Sequence, residues 1–330
     1  MNEDDIRPEG LNNIVLGLHK KDVSDLLKFR KSFVLTNCPA CNFSRYKKLF
    51  TKNNFVFVRC LNCETIFLNP RPTVKMLLSY YSSGRSNKFW NGKIFPASET
   101  SRRINIFRPR AKMIASLCKT LKMNAGVLAD VGAGFGTFCE EIKKFNIFKD
   151  IVAVEPGHDL AETIRGKGFV VYEKPIEHVK GLKADIITNF ELIEHLFRPD
   201  DFIRVCNKSL IKGGYIIMTT PNALGFDMSL LGKKSDHISG PDHLNLFNPK
   251  SITLLLEKNG FEVKLIKTPG KLDAEIVRNK ILKGELDISS NVFIRQVLID
   301  RWGDLGKKFQ KFISSNNLSS HMLIVARRLT

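Results

Sequence analysis

The sequence predicts an α/β fold with a mostly parallel sheet and a small metal-binding module before it. The first sign is residues 127–138, VLADVGAGFGTF, which read as a buried strand, a glycine turn and the start of a helix. The second is the alternation of apolar strand-like runs with helical segments in the rest of the chain. The third is a pair of Cys-x-x-Cys motifs near the amino terminus. These patterns predict a ligand site at the carboxyl ends of the parallel strands.

The glycine turn is the most informative stretch. Asp130 stands just before Gly132, Gly134 and Gly136, where a side chain would hinder both a left-handed turn and the close approach of a ligand. A dinucleotide site of the form G-x-G-x-x-G would need glycine where this chain has Thr137. The turn also lacks the lysine of a phosphate-binding loop. The acid would repel phosphate but can accept a hydrogen bond from an ammonium group or water.

A second acidic residue follows the next strand. Residues 151–156, IVAVEP, read as an apolar strand that ends in Glu155, and a carboxylate at that place can bind both hydroxyls of a ribose. A ligand with a ribose, an amino-acid cation and no phosphate suggests S-adenosylmethionine. Asp130 and the glycine turn, followed by Glu155 about one β-α-β unit later, resemble the first two motifs of the class I S-adenosylmethionine-dependent methyltransferases. The alternative is a glycine turn in an unrelated α/β protein.

This resemblance implies a Rossmann-like sheet of seven strands in which the last strand is antiparallel. It also implies that the glycine turn packs against the methionine part of the cofactor, that Asp130 orders that end, and that Glu155 holds the ribose. Ile176 and Glu177 resemble the residues that contact the edge of the adenine. The cofactor-binding residues expected from the motifs and strand ends are Asp130, Gly132, Gly134, Gly136, Glu155, Pro156, Ile176, Glu177, Asn189 and Glu191.

The composition is that of a globular protein with a strong positive charge. The formal net charge is +19, which would attract RNA, an anionic membrane surface or an acidic small substrate such as a nucleotide-linked sugar. The lysines are spread along the chain without a basic tail, so the charge alone does not choose among these partners. An acidic start and the lack of a long apolar stretch lead us to expect a cytoplasmic protein without a membrane span.

Four cysteines predict a metal site. Cys38 and Cys41 form one Cys-x-x-Cys motif, and Cys60 and Cys63 form the second. Four thiolates at this spacing can close a tetrahedral zinc site, which leaves no open coordination position and is therefore structural. Two disulfides are the competing interpretation, which a cytoplasmic setting disfavours.

The residues after the second motif extend the resemblance. An Asn-Pro-Arg-Pro turn that contains Arg71, followed by the pair Tyr80 and Tyr81, is similar to the amino-terminal module of sugar-modifying methyltransferases from surface-polysaccharide and antibiotic-sugar pathways. This implies a sugar or nucleotide-linked sugar as acceptor, with these three side chains as candidates either to touch it or to pack between domains. We expect residues 1–103 to form the zinc module and a linker or flap. Residues 104–330 would form the methyltransferase domain, with a helical excursion at 271–318.

The chemistry is expected near residues 191–195, ELIEH. If this stretch is helical, Glu191, Glu194 and His195 share one face, and the loop that carries His243 can fold over the same edge of the sheet. Methyl transfer requires the donor to be positioned and a proton to be removed from the acceptor, which suits histidine. We therefore expect His195 as the first and His243 as the second candidate base, with Glu194 beside them.

Two other uses of these side chains remain open. The carboxylates and imidazoles could bind a divalent cation such as Mg²⁺ that activates an acceptor hydroxyl, as in methyltransferases with a similar E-x-x-E-H and a distant histidine. Alternatively, Glu191 contacts the cofactor or backbone and His195 caps a helix. An RNA methyltransferase that grips RNA with its zinc ribbon and basic surface, and a scaffold that has lost catalysis, are the alternative functions.

Overall fold

The computed structural model describes residues 4–329, which fold around two sheets. The strands are β1 (Tyr46–Lys52), β2 (Phe55–Cys60), β3 (Ile66–Leu68), β4 (Val127–Val131), β5 (Asp150–Val154), β6 (Val170–Tyr172), β7 (Ala184–Phe190), β8 (Leu210–Pro221), β9 (Asn245–Leu246), β10 (Phe261–Lys267) and β11 (His321–Arg328). The helices are α1 (Glu9–Leu27), α2 (Val74–Ser83), α3 (Arg85–Phe89), α4 (Phe95–Arg102), α5 (Arg108–Thr120), α6 (Thr137–Lys143), α7 (His158–Gly166), α8 (Pro199–Ser209), α9 (Phe226–Leu231), α10 (Pro249–Glu257), α11 (Asp273–Leu282), α12 (Val292–Arg295) and α13 (Trp302–Ser315).

The larger sheet has seven strands in the order β10-β11-β8-β7-β4-β5-β6. The last strand, β11, runs antiparallel to both of its neighbours, β8 and β10, and the strands from β8 to β6 pair in parallel. This arrangement confirms the predicted fold class. Six of the seven residues of β7 are buried, because a parallel sheet is covered on both faces.

The smaller sheet joins the amino-terminal module to the rest of the chain. Its strands lie in the order β1-β2-β3-β9, and β9 comes from the second half of the sequence. Ile66 in β3 pairs with Leu246 in β9, and the side-chain amide of Asn248 donates to the carbonyl of Cys63 at 3.0 Å. The module is therefore built together with residues 245–248 and is not an independent appendage.

Arg71, from the Asn-Pro-Arg-Pro turn, lies at this junction. Its side chain is fully buried and donates to the carbonyls of Leu68 and Phe197 and to the side-chain oxygen of Asn245. Its guanidinium carbon also lies 5.8 Å from the centre of the Phe67 ring. Arg71 therefore ties the two parts of the chain together and is not available to a substrate.

Residues 82–103, expected to be a polar linker or flap, are mostly helical. Helix α3, a π-helical turn at Trp90–Ile94 and helix α4 follow one another, and a second π turn at Arg103–Phe107 leads into α5. The isolated aromatics explain the difference, because they pack against the sheet domain: the Phe95 ring stacks on the ring of Phe135 in the glycine turn at 3.9 Å. Whether this segment moves as a flap stays a prediction, as does the domain boundary at 103.

Residues 271–318 form helices α11, α12 and α13, as their apolar spacing indicates. Leu231, Val277 and Leu298 are buried in a separate hydrophobic cluster that holds these helices to α9. None of the helices in residues 4–329 is both long and apolar enough to cross a bilayer.

Candidate functional site

The glycine turn has the backbone conformation that its sequence requires. Gly132, Gly134 and Gly136 have φ values of 74°, 56° and 69°, a region that favours glycine. A Cβ atom on Gly136 would lie 3.0 Å from the side chain of Ile164, whereas one on Gly134 would meet no atom within 4 Å. Gly136 thus allows the close approach of the helix that carries Ile164, while Gly134 faces open space where a ligand can approach the backbone.

Asp130 is held at the end of the central strand. Its side chain is 2% exposed, and it accepts hydrogen bonds from the hydroxyl of Thr188 at 2.7 Å and from the thiol of Cys139 at 3.8 Å. Burial raises the pKa of Asp130 to about 7, although these bonds and the charge of Arg110 oppose the shift. A cationic group near this carboxyl would favour its ionised form.

Glu155 occupies the end of the neighbouring strand. Its carboxylate accepts from the backbone N–H of Gly134 at 2.9 Å and of Gly157 at 3.0 Å. Burial raises the pKa of this carboxyl, while the two N–H groups oppose that effect. Glu155 therefore braces the glycine turn from behind, and its free lone pairs can still accept from a ligand hydroxyl.

A cavity of about 560 Å³ opens in front of the glycine turn. Asp130, Gly132, Gly134 and Glu191 line it, as the sequence predicts for a shared ligand site. Its other walls come from residues 6–7, from the aromatic segment 90–113, and from residues 227–237, 269–276 and 320–323. The cavity is therefore assembled from both ends of the chain around the sheet.

The remaining predicted cofactor residues are not part of the described lining of this cavity. Ile176 and Asn189 are buried, and Glu177 and Pro156 are exposed. Neither side-chain polar atom of Asn189 has a hydrogen-bond partner among the described residues. A buried amide without partners calls for an explanation, and a bound cofactor or water in this part of the protein would supply one.

Glu191 has a strained backbone at the cavity wall. Its φ is 51°, which is uncommon for a residue other than glycine and is often found at functional sites. Its carboxylate accepts from the hydroxyl of Thr219 at 2.7 Å and lies 3.4 Å from Nδ1 of His321. Burial tends to raise the pKa of Glu191, but the charges of His321 and Arg110 outweigh it and lower the pKa. Glu191 is therefore an ionised group that faces the cavity.

Residues 191–195 do not form the expected helix. Only Ile193–His195 make a single 3₁₀ turn, so Glu191 points into the cavity while Glu194 is buried beside the hydroxyl of Thr220, which donates to it at 3.0 Å. The shared face predicted for the three side chains is wrong, because the left-handed backbone of Glu191 interrupts the helical spacing. Burial, followed by the charge of Glu191, raises the pKa of Glu194 well above its usual range.

His195 and His243 come together as predicted, with ring centres 4.9 Å apart. Nδ1 of His195 donates to the carbonyl of Asp242 at 2.8 Å, and Nδ1 of His243 donates to the carbonyl of His237 at 2.8 Å. Because a carbonyl only accepts, both Nδ1 atoms carry hydrogen, and in the neutral rings the acceptor atoms are the two Nε2 atoms. Burial lowers the pKa of both imidazoles.

The same two imidazoles and Glu194 could also hold a metal ion. Each offers one ligand atom, and these three atoms lie within 4.8 Å of one another. Histidine ligands of metals commonly donate their other ring N–H to a carbonyl, as both do here. Two imidazoles and one carboxylate suit Zn²⁺, Mn²⁺ or Fe²⁺ better than Mg²⁺, which prefers oxygen ligands.

Tyr80 and Tyr81 hold the loop that carries His243. The Tyr80 hydroxyl donates to the side chain of Asp242 at 3.0 Å, and the Tyr81 hydroxyl donates to its backbone carbonyl at 3.1 Å. The Tyr81 ring also meets the His195 ring edge-on at 6.4 Å. Tyr80 and Tyr81, which belong to the amino-terminal module, therefore help to position the histidine cluster formed by His195, His237 and His243.

The four predicted metal-binding cysteines are gathered at one place. Sγ of Cys38 is 3.5 Å from Sγ of Cys63, and Sγ of Cys41 is 3.6 Å from Sγ of Cys60. All four are free thiols, and the distances approach the edge of about 3.8 Å of a zinc tetrahedron with bonds of about 2.3 Å. The neighbouring Cys38 lowers the pKa of the Cys63 thiol. The donor set therefore fits structural zinc.

Several cavity residues were not predicted from the sequence. Arg110, Asp227, His237 and His321 all line the cavity, and Nε2 of His237 lies 3.6 Å from the carboxylate of Asp227. Burial raises the pKa of Asp227 to about 7. None of these residues stands in a recognisable motif, and the only hint is that polar His321 directly precedes the apolar run MLIVA of β11.

Comparison with known proteins gives matches for part of this chain. A family model described as a methyltransferase domain matches residues 104–265. A curated protein of Mycolicibacterium smegmatis, "Probable S-adenosylmethionine-dependent methyltransferase", is 35% identical over 81 residues, which are 24% of this chain and 30% of that protein. A Mycobacterium tuberculosis protein of the same description is 32% identical over 78 residues, 24% of this chain and 27% of its own length. The chain thus matches less than a third of the length of these relatives.

A solved structure shows the same fold. It is a chain in the complex of a methyltransferase activator with a candidate methyltransferase from Haloferax volcanii. The TM-score is 0.51 at 10% identity, and the match covers 73% of this chain and 96% of that chain. At this identity the likeness concerns the fold alone.

The cysteine cluster predicts about one zinc ion per chain in the purified protein. We expect Cys63→Ser to lose the zinc and to lower the melting temperature of the whole chain, because Cys63 is tied to β9 and α10 through Asn248. Elemental analysis and thermal melting of the two proteins provide the measurement. Cys118→Ala, a buried cysteine outside the cluster, should keep the zinc. Equal zinc content in Cys63→Ser and the parent would refute the site.

The raised pKa of Asp130 predicts a pH-dependent stability difference. The folded-state pKa of about 7 exceeds the ordinary value of 3.8, so the folded state binds a proton at Asp130 more tightly than the unfolded state does. The contribution of this proton to the free energy of unfolding is complete below pH 3.8 and is lost as the pH rises through about 7. Asp130→Asn cannot ionise. Its melting temperature should therefore rise relative to that of the parent by several degrees between about pH 4 and about pH 8 without ligand. A difference that is constant over this range, or that changes the other way, would contradict the buried carboxyl; Asp159→Asn, at an exposed position, is the control.

Proposed function

We propose that the protein is a class I S-adenosylmethionine-dependent methyltransferase that methylates a small, sugar-like acceptor. The match of residues 104–265 to a family model described as a methyltransferase domain supports the methyl transfer. The acceptor class that we propose is a nucleotide-linked sugar in surface-polysaccharide or secondary-metabolite biosynthesis. A cytoplasmic location is part of the same proposal. The observation that carries it is the cavity in front of the glycine turn, where Gly134 leaves the backbone accessible and Asp130 is buried beside it.

The residues around the cavity suit S-adenosylmethionine. Asp130 would face the amino-acid end and Glu155 the ribose, and the orphaned amide of Asn189 offers one more donor and acceptor nearby. When bound, the cofactor supplies an electrophilic methyl group on a sulfonium. The chain then has to orient the acceptor in line with that methyl group, exclude water and accept the acceptor's proton.

We propose His195 as the proton acceptor. Its Nδ1–H is fixed on the carbonyl of Asp242, which leaves Nε2 as the acceptor atom, and burial lowers its pKa and so favours the neutral ring. Oε1 of Glu194 lies 4.0 Å from that Nε2. His243 is the second candidate because its Nε2 is left as the acceptor atom in the same way.

A cation held by Glu194, His195 and His243 is the alternative use of this cluster. It would lower the pKa of an acceptor hydroxyl instead of removing the proton through an imidazole. An Nε2 acceptor atom can take up a proton or bind a cation. A chelator experiment, described below, distinguishes the two uses.

The polar lining of the cavity supports a hydroxyl-rich acceptor. Glu191, Asp227, His237 and Asp273 contribute carboxylates and an imidazole, which are suitable partners for sugar hydroxyls. The net charge of +19 also suits the phosphates of a nucleotide-linked sugar. RNA as the acceptor is the second candidate because the same charge would attract it.

The cofactor proposal is tested by calorimetric titration of the zinc-replete protein. We expect saturable binding of S-adenosylmethionine and none of NAD, and we expect Asp130→Ala to abolish binding because it removes the buried carboxyl at the turn. Binding of NAD alone, or of neither ligand, would overturn the proposal and leave a scaffold with this fold as the better interpretation. Titration with RNA at two salt concentrations tests the second candidate, since RNA binding should weaken steeply with salt.

The role of His195 predicts a split between binding and turnover. We expect His195→Gln to bind S-adenosylmethionine like the parent and to lower turnover of an acceptor found by screening by roughly 10²- to 10⁴-fold. Equal loss of binding and turnover would contradict the proposed base. If a cation is used instead, a chelator should abolish turnover and Mn²⁺ or Zn²⁺ should restore it, and His243→Gln should be as impaired as His195→Gln.

A further inference from the structure

A group of exposed apolar side chains lies on the helical excursion near the carboxyl end of the chain. Val292 and Phe293 of α12 are 65% and 61% exposed, and Phe312 of α13 is 54% exposed. The Phe309 ring joins them, because its centre lies 6.4 Å from the ring centres of both Phe293 and Phe312. These four residues form the aromatic patch. Single exposed apolar residues are normal on a protein surface, whereas a contiguous group of them indicates an interaction site.

Three lysines lie beside the aromatic patch. Residues 292–315 contain five basic and two acidic side chains, and each acid forms an ion pair with an arginine of the same segment, at 2.7 Å and 3.2 Å. The three remaining basic side chains are exposed, and among residues 4–329 no ion pair is recorded for them: Lys307, Lys308 and Lys311. Because residues three and four apart are neighbours on a helix, Lys308 lies next to both Phe312 and Lys311.

The opposite side of α13 is held by the rest of the protein. Gly306 and Ile313 are buried, and the side-chain amide of Gln310 donates to the carbonyl of Gly270 at 2.9 Å and to the carboxylate of Asp273 at 2.8 Å. Gly270 and Asp273 both line the cavity. The patch and the lysines therefore lie on the outer side of a helix whose inner side braces the cavity wall.

Charge and side-chain type favour one class of partner for this surface. A second copy of the chain, joined through the same patch, would bring the two groups of lysines close together, where like charges repel. RNA would attract the lysines, but Val292 has no ring for a base to stack on, and the Phe309 and Phe312 rings already lie against each other with 20° between their planes. An anionic bilayer offers negative headgroups to the lysines and an apolar layer to the patch.

We propose that the aromatic patch and the three lysines dock the protein on an anionic membrane surface. The lysines bind near the headgroups, and the apolar side chains enter the boundary between the headgroups and the acyl chains. The chain attaches to one leaflet through this surface and does not span the bilayer. The inference goes beyond the proposed function and does not depend on it, because it holds for any acceptor that the cavity takes.

Cosedimentation of the full chain with lipid vesicles tests the proposal. One set of vesicles contains roughly two parts of phosphatidylcholine to one part of the anionic phosphatidylglycerol, and the other contains phosphatidylcholine alone. The charge variant is Lys307→Gln/Lys308→Gln/Lys311→Gln. Its matched control changes three exposed lysines outside the excursion, Lys31→Gln/Lys47→Gln/Lys48→Gln. The apolar variant is Phe312→Ser, and its control is Phe29→Ser, whose residue is 59% exposed.

We expect the parent to bind the anionic vesicles more tightly than the neutral ones. The charge variant should bind them on the order of 100-fold more weakly, since each basic side chain near the surface contributes roughly fivefold. Phe312→Ser should lose about 10-fold, because a buried phenyl ring is exchanged for a small polar group. Both controls should bind like the parent. All variants should melt like the parent because the substituted side chains are exposed, so that lost binding is not unfolding.

Four results would overturn the inference. One is that the parent does not prefer the anionic vesicles. Another is an equal loss in the charge variant and its control, which would trace the binding to the overall charge. The third is unchanged vesicle binding by Phe312→Ser. The last is that Phe312→Ser abolishes self-association in light scattering, or RNA binding, while its vesicle binding equals that of the parent, which would assign the patch to a second copy or to RNA.

Discussion

The pairing of β3 with β9 is the contact on which the arrangement of the site depends. It fixes residues 245 and 246 on the amino-terminal module, and the loop just before them carries His237, Asp242 and His243. Tyr80 and Tyr81 hold this loop from the other side through Asp242, and His195 donates to the same residue. The small sheet, braced by its cysteine cluster, therefore shapes the histidine cluster that lies next to the cavity of the large sheet.

The parts of the protein that follow from local sequence were predicted well. A glycine turn needs particular residues at particular positions, so the pattern VLADVGAGFGTF is enough to predict its conformation. In the same way, the spacing of the four cysteines is enough to predict that they cluster. The sheet order follows from the alternation of strands and helices once the resemblance is recognised. The position of Glu155 at the end of the second strand was predicted as well, although its contacts with the backbone N–H groups of Gly134 and Gly157 were not.

The parts that depend on long-range packing were not predicted. Arg110 and His321 reach the cavity from positions 211 residues apart in the chain, and no local pattern marks either as a cavity residue. Arg71 was expected near a substrate, but its burial depends on acceptors contributed by Phe197 and Asn245. The helix predicted at 191–195 is absent because the backbone of Glu191 is left-handed. The spacing of apolar and polar residues does not reveal such a conformation.

The place of β11 in the large sheet has a consequence for how the chain is made. Residues 321–328 insert between β8 and β10, so on the ribosome the edges of both strands stay unpaired until nearly all of the described chain has been synthesised. Contacts such as Leu323 with Thr219 join residues far apart in sequence, and such contacts slow folding. Open strand edges also invite association with other chains. The strand edges of β8 and β10 that face β11 therefore stay exposed in the nascent chain until residues 321–328 have been made.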